Sequence, residues 1–222
     1  MNNDLLSMIS DGGVLYIALL MALSVHEFGH AYVADKLGDP LPRLDGRVSL
    51  NPLAHIDMLG TVILPLIMIF LAMGTNFPMI FGWAKPVRVS LPNSKTRARD
   101  DILTTLAGPA MNLIFGFVCM LVMVGLTYFN QESFVEILLT ILQINCVLFV
   151  FNMLPIPPLD GSRILKYALN MSDMTYAQIS RYSLIIILVI INVPQTRFII
   201  ATCISFLVDI YILIGNLILS LF

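Results

Sequence analysis

Hydrocarbon side chains run through this sequence in long stretches separated by short polar links. The apolar runs cover residues 12–34, 58–73, 103–128, 135–154, 176–193 and 198–221. A helix needs about 20 mostly apolar residues to cross the hydrocarbon core of a bilayer. The pattern therefore predicts an all-α membrane protein, a polytopic bundle of about six transmembrane helices. The second run is short and holds Pro65, which marks it as kinked, tilted or incomplete. Residues 74–88 are poor helix, because Phe77-Pro78-Met79-Ile80-Phe81-Gly82-Trp83-Ala84-Lys85-Pro86 mixes aromatics, glycine and proline. Pro86 also biases its predecessor toward extended geometry. Irregular backbone at membrane depth is tolerated only when protein covers it or it borders a cavity. This stretch is accordingly expected to form a re-entrant β-hairpin beside the chain's chemistry. No repeat or separate soluble segment is visible, so residues 1–222 read as one domain, with a core over about 12–170 and C-terminal helices over about 176–221.

Composition agrees with the pattern. Hydrophobic residues make up 58% of the chain and charged ones 12%, with a mean hydropathy of +0.90. That is the profile of an integral, multi-pass protein whose surroundings are a lipid bilayer. A net charge of −2, a pI near 5.8 and the lack of a dense Lys/Arg cluster exclude nucleic acid as a partner. Cys119, Cys146 and Cys203 all fall in apolar runs with no CxxC spacing, and read as small packing residues. No Lys or Arg precedes the first run and no small-residue cleavage site follows it, so the first helix is expected to stay in the mature protein.

Positive charge supplies an orientation. Lys36, Arg43 and Arg47 follow the first run, and Lys85, Arg88, Lys95, Arg97 and Arg99 precede the third. Arg163, Lys166 and Arg181 lie around the link between the fourth and fifth. The first eleven residues and the 129–135 link carry none, leaving Arg197 for the opposite side. By the positive-inside rule the three basic regions face the cytoplasm and the N-terminus faces out. Regions 35–57 and 85–101 can both be cytoplasmic only if the chain between them turns back.

Within the first run lies His26-Glu27-Phe28-Gly29-His30, with no other charge between Asp11 and Asp35. On a helix, positions i and i+4 stack on one face, so both imidazoles can reach a single Zn²⁺. The carboxylate between them is then beside the water that the metal activates, ready to take its proton. Packing or hydrogen bonding to neighbouring helices is the bland alternative. Two imidazoles and a carboxylate are costly in hydrocarbon, however, and mark function there by default. Catalytic zinc usually takes three protein ligands. Asp160 is the third candidate, in Asn152-Met153-Leu154-Pro155-Ile156-Pro157-Pro158-Leu159-Asp160-Gly161, where prolines break the fourth run. Broken helices are where membrane proteins place ligand-binding groups, although Pro-Pro-Leu-Asp-Gly also suits an ordinary cytoplasmic turn. Depth favours the pairing. If the first helix runs inward, its histidines lie roughly 10–15 Å from its cytoplasmic end, and the fourth run delivers Asp160 near that same side.

Taken together, the His26–His30 motif, Gly108-Pro109-Ala110-Met111-Asn112 and the Asn152–Gly161 stretch resemble the site-2 protease family of intramembrane zinc metalloproteases. Residues 47–57 and Phe81-Gly82-Trp83-Ala84-Lys85-Pro86-Val87 resemble its compact prokaryotic branch. The resemblance covers about residues 12–170. It implies one Zn²⁺ per chain held by His26, His30 and Asp160, with Glu27 as general base. It also implies that Asn112 and Asn152 line the substrate cleft. The substrate is expected to be a locally unwound transmembrane segment of another membrane protein, cut in a prokaryotic inner (plasma) membrane with the active site toward the cytoplasm. No PDZ-like or CBS-like appendage and no helix ahead of the His26–His30 helix are expected.

The amides have a physical reading of their own, since a side-chain amide in hydrocarbon needs a partner. An unwound substrate supplies one, and so does a neighbouring helix. His55 reads as a solvated loop histidine, Gly108-Pro109 as a closely packed helix start, and Asp209 in the last run carries no assigned role. Two other functions compete. One is a non-proteolytic membrane metal binder or transporter; the other is a scaffold that binds membrane helices without cutting them. Neither has a chemical use for Glu27 between two histidines.

Overall fold

The fold was analysed in a computed structural model that describes residues 2–72, 82–93 and 95–221. Its helices are α1 (Asn2–Lys36), α2 (Leu41–Leu44), α3 (Leu64–Ala72), α4 (Arg97–Tyr128), α5 (Val135–Asn152), α6 (Asp160–Ala168), α7 (Asp173–Ser180), α8 (Ser183–Asn192) and α9 (Pro194–Leu219). Four of them are long and apolar enough to cross a membrane: α1 from Ser10 onward, α4, α5 and α9. The pair α7 and α8 makes a fifth candidate, bent by 58° where Arg181 and Tyr182 interrupt the hydrocarbon.

Four or five of the six expected crossings thus have a matching helix or bent pair among the described residues, and residues 58–72 form a shorter, broken element. Asp57 accepts from the N–H groups of Leu59 and Gly60, starting a wide π-type turn over Met58–Ile63 that leads into the short α3. The chain then comes back. Trp83 N–H donates to Gly60 O (3.1 Å), Lys85 N–H donates to His55 O (2.9 Å), and the Thr61 hydroxyl donates to Trp83 O (2.8 Å). Residues 82–93 are irregular, and no strand occurs among the described residues. Positions 74–81 of the anticipated hairpin lie outside the described residues.

Fully buried Asp39 fixes this returning chain to the end of α1. Its carboxylate accepts from the N–H groups of Leu41, Ser90 and Leu91 and from the Ser90 hydroxyl. Burial works against the charged form, but these four donors outweigh it and hold the Asp39 carboxyl below the usual carboxylate range. His55 is buried as well, not solvated as the sequence suggests, because its Nε2 pairs with Ser49 O (2.7 Å) and folds the 49–55 loop over the ring.

α1, α4 and α5 pack together, and α9 lies against α4 and α5. Ala18, Cys119, Met120, Leu142, Cys146, Val208 and Tyr211 form the centre of this packing. The Tyr211 hydroxyl ties α9 to α4 by donating to Leu113 O (2.8 Å). Many large hydrocarbon side chains face outward, among them Ile114, Phe117, Leu184 and Phe198. Such a surface suits lipid and would aggregate in water.

Candidate active site

α1 and α4 run antiparallel, so that His26 meets Asn112 and His30, one turn further on, meets Thr104. Their close approach depends on Gly108. A Cβ at that position would strike the His30 ring and lie 2.9 Å from His26 Cε1. Gly108 and Pro109 stand inside α4, not at a helix start, since Arg97 already begins the helix. Pro109 has no N–H, so the turn before it gives up one internal hydrogen bond. In that same turn, Thr104 O is the acceptor for His30 Nδ1 (2.7 Å).

The hydrogen bonds fix both tautomers. A carbonyl oxygen only accepts, so His30 Nδ1 carries the proton it donates to Thr104 O. Fully buried Asn112 donates through Nδ2 to Ala22 O (3.0 Å) and to Asn145 Oδ1 (2.9 Å). This leaves its Oδ1 to accept from His26 Nδ1 (2.7 Å). Asn145, also fully buried, is oriented in turn by donating to Ile141 O (2.8 Å). With both rings neutral, the two Nε2 lone pairs are free, and they face each other across 3.0 Å.

Asp160 completes the triangle. Pro155, Pro157 and Pro158 end α5 and turn the chain, and Asp160 is the first residue of α6. Gly161 allows this turn, because a Cβ there would clash with the Met153 and Leu154 carbonyls. Asp160 Oδ2 lies 3.2 Å from His26 Nε2 and 3.4 Å from His30 Nε2. It is buried and has no hydrogen-bond donor. Two neutral imidazole nitrogens and an orphaned carboxylate oxygen repel one another unless a proton or a metal cation sits among them. Ligand atoms about 2.0–2.2 Å from a tetrahedral zinc stand roughly 3.3–3.6 Å apart; the separations of 3.0, 3.2 and 3.4 Å reach this range from just below. Among the described residues, His26, His30 and Asp160 are the group of His, Cys, Asp or Glu donors near enough to share an ion.

Glu27 lies beside this triangle, and its Oε2 accepts from Val87 N–H (3.1 Å) on the returning chain. A cavity of about 180 Å³ opens here, bordered by Glu27, Val87, Thr105, Asn152 and the three donor residues. Asn152 lies on its wall and donates to Leu148 O (3.0 Å). Asn112 lies behind His26 and away from the wall, as its hydrogen bonds require. Val89 and Arg163 border both this cavity and a second, of about 620 Å³, whose lining includes Asp101, Lys166 and Asp173.

α6 is braced against the start of α4. Asp101 accepts from Arg163 Nη1 (2.9 Å) and from the Tyr167 hydroxyl (2.7 Å). Burial and this carboxylate push the Tyr167 hydroxyl up to about 12, so it remains a donor at neutral pH. Asn145, Asp101 and the Val87 N–H are contributions that sequence reasoning did not anticipate. Asn145 did leave a signal: it precedes Asn152 by seven residues, which puts both amides on one face of α5.

Comparison with known proteins finds metalloprotease relatives. Residues 127–193 match the model of peptidase family M50. The chain is 34% identical over 190 residues to the "Putative zinc metalloprotease YwhC" of Bacillus subtilis, covering 81% of this chain and 80% of that protein. It is 32% identical over 186 residues to the "Putative zinc metalloprotease Rip2" of Mycolicibacterium smegmatis, covering 79% of this chain and 65% of that longer relative. No solved structure matches.

Proposed function

Since the chain belongs to peptidase family M50, the site-2 protease family, we propose that it is an intramembrane zinc endopeptidase that cuts membrane-protein substrates in or beside their transmembrane segments. The observation that carries this reading is the convergence of His26 Nε2, His30 Nε2 and the donorless Asp160 Oδ2 on one point, with Glu27 alongside. One Zn²⁺ held by these three residues supplies a Lewis acid that polarises the scissile carbonyl and lowers the pKa of water. Glu27 takes the water's proton on a carboxylate oxygen and delivers it to the leaving amine nitrogen. Val87 N–H holds that carboxylate in place through Oε2. Asn112 orients His26, and Asn152, on the cavity wall, hydrogen-bonds the backbone of an unwound substrate.

Peptide bonds in a helix are shielded by their own hydrogen bonds, so the substrate has to unwind before it can be cut. The 74–88 chain is proposed to hold the unwound segment by edge pairing, as a re-entrant hairpin would. The shared border of the two cavities at Val89 and Arg163 supports a water route from the basic, cytoplasmic side of a prokaryotic plasma membrane.

Cleavage of a detergent-solubilised membrane substrate containing a helix-breaking residue tests the reading. The chelated protein is expected to be inactive and to recover on adding zinc. Cleavage that continues unchanged under chelation discards the assignment.

A further inference from the structure

α9 carries a polar seam on an outward side of the bundle. Thr202, Ser205, Asp209 and Asn216 are all exposed, while the neighbouring outward positions Phe206, Leu213 and Leu217 are hydrocarbon. With Ile212, the seam advances in alternating steps of three and four residues. That alternation keeps one line of a helix facing a partner helix over several turns. Another side of α9, through Val208, Tyr211 and Gly215, is already buried in the bundle.

Asp209 makes the seam anomalous. It lies fifteen residues from Pro194 and ten from Leu219, about 22 and 15 Å along the helix axis. Its carboxyl thus faces outward deep within the hydrocarbon zone. Acids at that depth are costly and normally face a bundle interior or a partner. Among the described residues, no side chain or backbone group pairs with the side chains of Asp209, Ser205 or Asn216. Only the Thr202 hydroxyl is satisfied, by Phe198 O at 2.8 Å. The one basic residue of α9 is Arg197, twelve residues away at the helix start.

We propose that this seam is a homodimer interface, with two copies packing their α9 helices in parallel about a two-fold axis. Copies inserted with the same orientation present α9 in parallel, and two-fold symmetry sets each seam residue at the axis opposite its own copy. Each polar member is its own complement. The hydroxyl and the amide both donate and accept, and two facing carboxyls share a proton in one hydrogen bond. A foreign helix would have to bring matching groups at four separate depths, whereas a second copy brings them in register by symmetry. The small Thr202 and Ser205 side chains let the backbones approach. The cluster of His26, His30 and Asp160 lies on α1 and α6, so the contact leaves it untouched.

The test uses the full chain in lipid nanodiscs, with subunits counted by single-molecule photobleaching, together with oxidative cross-linking in membranes. In a Cys203→Ser background, Ser205→Cys and Asn216→Cys should cross-link between copies, while Leu217→Cys, exposed but off the seam, should not. Asp209→Leu should raise the dimer dissociation constant roughly tenfold, the scale of an interhelical hydrogen bond, with the thermal unfolding midpoint unchanged. Asp209→Asn, which still donates and accepts, should remain dimeric. The proposal is overturned if the unsubstituted protein is monomeric, alone or bound to a different membrane protein. It is equally overturned if Asp209→Leu dimerises normally or if Leu217→Cys cross-links as well as the seam positions.

Discussion

A neutral imidazole has two tautomers, and only the one protonated on Nδ1 offers Nε2 to a metal. In this chain Asn112 sets that choice for His26, and Asn145 sets the orientation of Asn112. Outer partners of this kind typically change metal affinity 10–100-fold. Asn145→Leu should therefore weaken zinc binding about 10–100-fold in a chelator competition. Parent-like affinity in that variant would remove Asn145 from the account. The cysteines should behave in the opposite way. Cys119 and Cys146 are packed in the apolar core and Cys203 is exposed on α9, so a triple Cys→Ser protein should retain one zinc per chain, as metal analysis can check. Loss of stoichiometric metal would contradict the donor set. The His26–His30 spacing was readable because i and i+4 on a helix is a local rule. The pairing of His26 with Asn112 spans 86 positions, and a lone Asn in an apolar run gives no indication of which helix it will meet.

Short segments aim the long helices' side chains at one another. α6 carries Asp160 and is held to α4 by Asp101, through Arg163 and Tyr167. The returning chain at 82–93 meets Glu27 through Val87 and α1 through Asp39. Placing prolines at Gly82, Trp83 and Ala84 removes the Trp83 N–H that bonds Gly60 O. This should raise KM or abolish cleavage while zinc content stays near the parent value, and normal cleavage would exclude a substrate-binding role for the stretch. Asp39 makes that attachment sensitive to acid. Its carboxyl titrates lower in the folded protein than in the unfolded chain. The stability it adds is therefore complete above the unfolded value of about 4 and is lost as pH falls through the depressed folded value. Asp39→Ala should destabilise the protein at neutral pH by about 2–4 kcal/mol and flatten its acid-unfolding profile. An unchanged profile would mean that the four hydrogen bonds contribute nothing. The proline-rich break at 155–158 was legible because proline ends helices wherever it falls. His55 was misjudged because its burial depends on Ser49 O and on the loop that closes over it.

Across the whole molecule, hydropathy identified a helical membrane protein, and four or five of the six expected crossings have a matching apolar helix or bent pair among the described residues. Composition cannot distinguish a run that crosses from one that turns back, and the hydrogen bonds of Trp83 to Gly60 and of Lys85 to His55 are invisible to a hydropathy window. The same bonds remove the conflict between the basic segments 35–57 and 85–101, which can share a side because the chain between them returns. They also bring Val87 to Glu27, so one topological feature serves both the orientation and the site. The central claim is that Glu27 moves the proton while His26, His30 and Asp160 hold the metal. Zinc content and cleavage rate, measured side by side on Glu27→Gln and Asp160→Ala, separate those roles most directly. Glu27→Gln should keep its full zinc and lose about 10²–10⁴-fold in rate, whereas Asp160→Ala should lose zinc to a mild chelator and activity with it. Cleavage by Glu27→Gln at the parent rate, or zinc held by Asp160→Ala as firmly as by the parent, would contradict the account.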